Sequence, residues 1–166
     1  MSEKQVTLRF LAEPSDVNFG GNVFGGNVMK WIDHAGYTCA AGWAQSYCVT
    51  AYVGDISFLR PIRVGDLVEL RAELMRTGRS SMHISVTVSA RHPTQEDSRL
   101  TTHCVMVFVA VDKDGEPHPV RTFEPTTKRD RVLADYAAEM ITLHQELRDN
   151  EAELLKMFGD ANAEKS

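Results

Sequence analysis

The spacing of apolar and polar residues changes along this chain, and each change predicts a different kind of element. Residues 6–13 are typical of a first β-strand, and residues 25–43 then follow the period of an amphipathic α-helix. Small residues are frequent in this helix, so it is thin and other elements can pack closely around it. Its apolar face is predicted to consist of Val28, Ile32, Ala35, Cys39 and Trp43.

After the helix the apolar residues recur at every second position, which is typical of β-strands. Short connections separate four predicted strands, at residues 49–58, 67–76, 81–90 and 100–111. In the third of these strands one face is expected to be buried. The other face, which carries His83 and Ser85, is expected to be wet or lightly covered. A single helix against an antiparallel sheet is an α+β architecture.

The C-terminal part of the chain has a different pattern. Residues 127–130 have the sequence of a capping box, and a long helix that ends near Gly159 is predicted to follow. Its stripe positions alternate between spacings of three and four residues: Leu133, Tyr136, Met140, Leu143, Leu147, Asn150, Leu154 and Met157. This stripe packs either on its own domain or on a neighbouring subunit. We therefore divide the chain into a domain at 1–125 and a helical extension at 126–166.

Composition narrows the functional classes. The chain has 166 residues, enough for one domain with a core, and its net charge of −5 argues against a dedicated nucleic-acid binder. Its three cysteines form no Cys-x-x-Cys pair, and no histidine pair has metal-ligand spacing, so neither disulfides nor a metal cofactor are expected. We find no signal peptide and no membrane-length apolar run, and we predict a cytoplasmic protein without a membrane partner.

The stretch NFGGNVFGGNVMKWIDHAG at residues 18–36 is the most unusual local pattern. Gly21 and Gly26 have the spacing of a phosphate-binding loop, but Asn27 and Val28 replace the lysine and hydroxyl residue that such a loop needs. The glycines can instead give access to the helix N-terminus, where free N–H groups suit the oxygen of a polarised carbonyl. A loop that only requires positive φ angles is the other interpretation.

Asp33 is the acid that follows these glycines within the helix. It lies at the edge of the apolar face, where a carboxylate either points to solvent or is held in a cleft. His34 projects in a different direction, so the two side chains are not expected to share a site. The cysteines lie in apolar surroundings and are expected to be core residues rather than nucleophiles.

An ordered set of motifs gives these residues a context. It comprises Asp16-Val-Asn18, Asn22-Val-Phe-Gly-Gly26, Asp33, Val49-Thr50 and the segments at 55–62, 65–66 and 77–82. Together these motifs resemble the acyl-CoA thioesterases of the hotdog fold, the group of bacterial YciA-type enzymes and brain acyl-CoA hydrolase. The resemblance implies a sheet wrapped around one long helix. It also implies a homodimer that joins two sheets edge to edge and assembles further into a hexamer, as a trimer of dimers.

The same resemblance implies roles for individual residues. Asn18 and Asp33 would be the catalytic pair, with active sites built from both subunits and Asp33 acting as general base or nucleophile. Backbone N–H groups of Gly25 and Gly26 would hold the thioester oxygen. The nucleotide of coenzyme A would lie near Gly78, Arg79, Ser80 and Ser81, although these are equally well interpreted as a polar turn. Coenzyme A would enter as part of the acyl-CoA substrate, and no further cofactor is expected.

Two other functions stay open on the sequence. A hotdog acyl-thioester dehydratase would need a histidine in the cleft, and His34 is predicted to face away from it. A non-catalytic acyl-CoA or nucleotide-sensing module would keep the fold without the acid, so Asp33 argues against it.

Overall fold

The computed structural model describes residues 4–163, and the chain divides into two compact units between Glu124 and Pro125. Within the described residues the first unit contains one long helix and six strands. In chain order these are β1 (Gln5–Leu11), α1 (Gly25–Ala44), β2 (Cys48–Val53), β3 (Ser57–Phe58), β4 (Leu67–Thr77), β5 (Ser81–Arg91) and β6 (Arg99–Ala110). A 3₁₀ turn at Pro14–Asp16 follows β1. The second unit is formed by α2 (Lys128–Ala163).

The strands form one antiparallel sheet in the order β1-β4-β5-β6-β2, and β3 pairs with β6 next to β2. The predicted last strand, now β6, is therefore internal, with β5 on one side and β2 and β3 on the other. Within the described residues β2 has one unpaired edge. A strand edge of this kind presents N–H and C=O groups that another strand can bind.

Helix α1 packs with its apolar face towards the sheet. The five residues predicted for this face are all buried, and Gly36 and Ala40 are buried with them. The contact is close, because a β-carbon placed on Gly36 would lie 2.7 Å from the ring of Phe108 in β6. The small residues of the helix therefore allow the sheet to approach it. This confirms the predicted thin helix.

Two details of the sheet differ from the sequence-based expectation. The single strand predicted at 49–58 is two strands, because β2 ends at Val53 and β3 begins only at Ser57. Gly54 still donates its N–H to the carbonyl of Val105 in β6 at 2.8 Å, so the interruption lies at residues 55–56. The second face of β5 is more covered than expected. His83 and Ser85 are 9% and 6% exposed, and Ser85 Oγ is hydrogen-bonded to His103 Nε2 at 3.1 Å. The alternation of apolar and polar residues along β5 identified which side chains share this face. It did not indicate what covers the face.

The second unit begins with the predicted capping box. The N–H of Asp130 donates to Thr127 Oγ1, and the N–H of Thr127 donates to Asp130 Oδ2, both at 3.0 Å. The predicted stop at Gly159 is wrong, since α2 continues to Ala163. One glycine costs a helix about 1 kcal/mol relative to alanine, which is too little to end it without a competing structure. No helix in the described part of the chain is long and apolar enough to cross a membrane.

Candidate active site

The loop before α1 is closed by the side chain of Asn18. Its Oδ1 accepts hydrogen bonds from the backbone N–H groups of Gly20 at 2.8 Å and Asn22 at 3.3 Å. The backbone N–H of Asn18 donates to the carbonyl of Asn22 at 2.7 Å. Gly21 has a φ of 79°, which favours glycine at this position. Among residues 4–163 no acceptor is found for Asn18 Nδ2. The side chain is thus held through its oxygen and keeps two donors for a ligand.

The first turn of α1 offers further donors. The residue before the helix, Phe24, provides no side-chain cap, and its N–H donates to the carbonyl of Asp16 at 2.7 Å. Within the described residues the N–H groups of Gly25 and Gly26 have no acceptor. They lie at the positive end of the helix dipole, where a partial negative charge is stabilised. A β-carbon on Gly26 would lie 2.5 Å from the Phe24 ring, so the close packing here favours glycine.

Asn18 and Gly25 line one cavity of about 330 Å³. Residues 58–62 form another part of its wall, and Asn22, Val23, Val28 and Thr102 complete the lining. The N–H of Val23 donates to the carbonyl of Ile62 at 2.9 Å, which joins the loop before α1 to this wall. The sequence motifs included residues 58–62 without assigning them a role. Their position beside Gly25 depends on the pairing of β3 with β6.

Asp33 lies on the side of α1 that meets β2. Thr50 Oγ1 donates a hydrogen bond of 2.8 Å to Asp33 Oδ1. Thr50 was part of the motif set, but no sequence pattern indicated that it contacts the acid. Asp33 does not line the cavity with Asn18, because it follows Gly25 by eight residues, or about 12 Å along a helix. A single chain therefore does not bring the predicted catalytic pair into one cavity.

The turn at residues 78–81 lies at the other end of β6. The N–H of Gly78 donates to the carbonyl of Ser81, and the carbonyl of Ser80 accepts from the N–H of Ala110, each at 2.9 Å. Arg79 is exposed, whereas Ser80 and Ser81 are half-buried. Thr102 of the cavity precedes Ala110 by eight residues along β6, which corresponds to about 25 Å. The turn and the cavity are therefore well separated within one chain.

The remaining candidate groups lie outside this arrangement. His34 is exposed, on the face of α1 that lies away from its buried apolar face. Burial raises the pKa of Cys39 to about 12 and the pKa values of Cys48 and Cys104 to about 11. These thiols stay protonated near neutral pH, as expected for core cysteines. Among residues 4–163, no group of three or more His, Cys, Asp or Glu side chains is placed to hold a metal ion.

A long helix packed on an antiparallel sheet of this strand order, with glycines at its N-terminus and an acid along it, defines a hotdog-fold protein. The family model of the thioesterase superfamily matches residues 20–96. The YciA acyl-CoA thioester hydrolase of Salmonella typhimurium is 35% identical over 119 residues, which cover 70% of this chain and 90% of that protein. The chain belongs to this thioesterase superfamily, as the motifs predicted.

Solved structures agree with this assignment. An apo-hexameric acyl-CoA thioesterase has a TM-score of 0.84 at 32% identity, covering 87% of this chain and 93% of its own. An acyl-CoA hydrolase of Staphylococcus aureus, in complex with butyryl coenzyme A and coenzyme A, has a TM-score of 0.88 at 26% identity, covering 96% and 97%. Alanine variants of that hydrolase replace an asparagine, an aspartate fifteen positions later and a threonine seventeen positions after the aspartate.

Proposed function

We propose that this chain hydrolyses the thioester of acyl-CoA to a free fatty acid and coenzyme A. The observation that carries the proposal is the Asp33 carboxylate, held by the Thr50 hydroxyl at 2.8 Å on a helix whose first N–H groups are unpaired within the described residues. The related proteins support it, because they are acyl-CoA thioester hydrolases and one of them binds butyryl coenzyme A.

Asp33 is proposed as general base or nucleophile. The hydrogen bond from Thr50 occupies Oδ1, while Oδ2 has no donor among the described residues and is left for a substrate or water. This oxygen either takes a proton from the attacking water or attacks the carbonyl carbon to form a mixed anhydride. Asn18, Asp33 and Thr50 have the same spacing as the three residues replaced in the S. aureus variants, which supports Thr50 as the third member.

Asn18 and the start of α1 are proposed to hold the thioester oxygen. Because Oδ1 of Asn18 is used within its own loop, only its Nδ2 donors are left for the substrate. A donor stabilises the carbonyl oxygen as it gains charge during attack, and the N–H groups of Gly25 and Gly26 are placed for the same task. This arrangement favours a role for Asn18 on the thioester rather than on the water.

We propose that two chains complete each active site. Within one chain Asn18 lines the cavity and Asp33 does not, yet Asn18 Nδ2 and Asp33 Oδ2 both have no partner among the described residues. The edge of β2 has no partner strand within residues 4–163, and the exposed Val49 and Val53 lie along it. A second copy paired at this edge would form a homodimer and place one chain's helix start near the other chain's acid. The hexameric relatives support a hexamer, and we propose that it is a trimer of such dimers.

Coenzyme A is proposed to bind at a turn between two strands. The turn at 78–81 would bind the phosphates of coenzyme A, with Arg79 as the charged donor and Gly78, Ser80 and Ser81 shaping the turn. Coenzyme A is then part of the substrate and not a resident cofactor. The catalytic domain would span 1–125 and the helical extension 126–166, and a cytoplasmic location stays a prediction.

Replacing the acid tests the chemistry directly. Asp33→Ala is expected to lower the turnover of butyryl-CoA, measured as thiol release, by roughly 10²–10⁴, the usual loss of a general base. Asp135→Ala, which removes an exposed acid from α2, is the matched control and should retain normal turnover. Circular dichroism and light scattering should show unchanged folding and assembly in both variants. Normal turnover in a folded Asp33→Ala protein would remove the basis of the proposal.

A further inference from the structure

The Gly65-Asp66 motif takes no part in the proposed chemistry, although Asp66 is buried. It is 5% exposed, and its Oδ2 accepts hydrogen bonds from Nη2 of Arg99 and, at 2.8 Å, from the backbone N–H of Arg63. Such an ion pair often adds little stability, but it can specify one arrangement of the chain. Resting on the proposed function, we infer that Asp66 and Arg99 are positioning residues, which hold the loop of Asn18 in the geometry that the reaction requires.

The ion pair first fixes the turn that leads into β4. The backbone N–H of Asp66 donates to the carbonyl of Arg63 at 3.1 Å, and its carboxylate accepts from the N–H of the same residue. Arg99 extends this connection, because its Nη2 also donates to the carbonyl of Pro61 and its Nη1 to the carbonyl of Ala90, both at 3.3 Å. The guanidinium thus ties the turn to β5, an internal strand of the sheet.

The loop that carries Asn18 begins on this segment, residues 61–66. The N–H of Ala12, the first residue after β1, donates to the carbonyl of Asp66 at 2.9 Å. The carbonyl of Ala12 accepts from the N–H of Gly65 at 2.8 Å. Gly65 has a φ of 80°, which lies in the left-handed region that favours glycine. Two hydrogen bonds at a single residue therefore fix the point where the loop leaves β1.

The same segment also holds the end of the loop. The N–H of Val23 donates to the carbonyl of Ile62 at 2.9 Å, and Asn22 forms an antiparallel bridge with Arg63. Asn22 is bound in turn to Asn18, because its N–H donates to Oδ1 and its carbonyl accepts from the backbone N–H of Asn18. A displacement of the segment would therefore move the side-chain donors that are proposed to hold the thioester oxygen.

Loss of the Asp66 carboxylate should affect the chemical step. Asp66→Ala should lower kcat for butyryl-CoA about 10- to 100-fold, since a misplacement of about 1 Å can cost on the order of 10²-fold. KM should change less than about threefold, because a donor to developing charge acts mainly in the transition state. Asp66→Asn offers its amide oxygen to the same donors. It should restore kcat to within about fivefold of the wild type, because neutral hydrogen bonds are roughly half as strong as charge-assisted ones.

A second variant and a matched control accompany this measurement. Arg99→Ala removes the other member of the pair and should also lower kcat, which keeps the test open if Asp66→Ala does not fold. The ion pair of Arg9 and Glu69 joins β1 to β4, and both of its side chains are more exposed. Glu69→Ala should therefore leave kcat unchanged. Circular dichroism and thermal unfolding establish that each variant is folded at the assay temperature.

A double-mutant cycle separates positioning from a general loss of structure. If Asp66 acts through Asn18, Asp66→Ala should lower the residual kcat of Asn18→Ala by less than about twofold, because the effects of coupled residues are not additive. In a Thr50→Ala background, where the hydrogen bond to Asp33 is lost instead, Asp66→Ala should keep its full effect. An equal loss in the wild type and in Asn18→Ala overturns the inference.

Hydrogen exchange gives a readout that does not depend on turnover. In Asp66→Ala the peptide at residues 17–24 should exchange faster than in the wild type, since the N–H groups of Gly20 and Asn22 donate to Asn18 Oδ1. The peptide that covers β2 should exchange as before. This result supports the positioning role even if the wild type hydrolyses no acyl-CoA, which would reject only the proposed activity. Unchanged exchange at residues 17–24 in the folded Asp66 and Arg99 variants overturns the inference.

Discussion

The two helices of this chain have similar sequence periods but use their apolar faces differently. In α1, which has 20 residues, the apolar face is buried inside its own unit. In α2, which has 36 residues, the stripe residues Tyr136, Leu143, Leu147 and Leu154 are 45% to 62% exposed. Most helical stability in proteins comes from packing of the apolar face. An amphipathic period thus predicts that a face will be covered, but it does not say which part of the molecule covers it.

The largest expected effect is on enzymatic activity, and it depends on α1 and the loop before it. If one chain supplies Asn18 and the other supplies Asp33, mixing inactive Asn18→Ala and Asp33→Ala subunits creates dimers with one intact site. Random exchange should then restore roughly a quarter of wild-type activity. Thiol release by the mixture measures this, after native mass spectrometry has established that subunits exchange. No recovery despite exchange would place both residues in a site within one chain.

A second experiment addresses α2. The charge-introducing variant Leu143→Glu/Leu147→Glu should reduce the proposed hexamer to a smaller, active species if the stripe contacts a neighbouring subunit, because charges in an apolar contact are costly. A chain that ends after Pro125 should then be a folded dimer that retains hydrolysis. Light scattering gives the masses. Gln145→Glu adds a charge at an exposed residue outside the stripe and serves as the control.

The outcomes for α2 distinguish its two possible partners. A hexamer that survives both the double variant and the truncation would show that the stripe does not support assembly. Loss of all soluble protein on truncation, with the double variant also unfolded, would show that the helix belongs to the core of its own subunit.

The smallest expected effect tests how closely the sheet surrounds α1. Gly36→Ala should lower the free energy of unfolding by about 1–3 kcal/mol, because the new methyl group overlaps the Phe108 ring. Gly42→Ala, in the same helix, meets nothing within 4 Å and should raise it by about 0.5–1 kcal/mol. Urea unfolding at one protein concentration measures both. Equal effects of the two substitutions would contradict the close packing.

Local patterns were sufficient for most elements of the fold. The small residues and period of α1, the alternation in β5 and the capping box of α2 each act through neighbours a few residues apart, so they can be recognised without the partner that they pack against. The glycine loop and the acid of the candidate site were also recognisable, because both lie on one continuous stretch. These features are local consequences of side-chain size, polarity and backbone freedom.

The sequence by itself thus determined the kinds of elements, their order and the family. Tertiary structure decided which residues meet across them. The Thr50–Asp33 hydrogen bond joins a strand to a helix, and residues 58–62 reach the cavity only because β3 pairs with β6. Nor did periodicity predict the break between β2 and β3 or the unpaired edge of β2 within residues 4–163. The physical reason is that such contacts depend on the packing of distant segments, whereas periodicity reports only on neighbours along the chain.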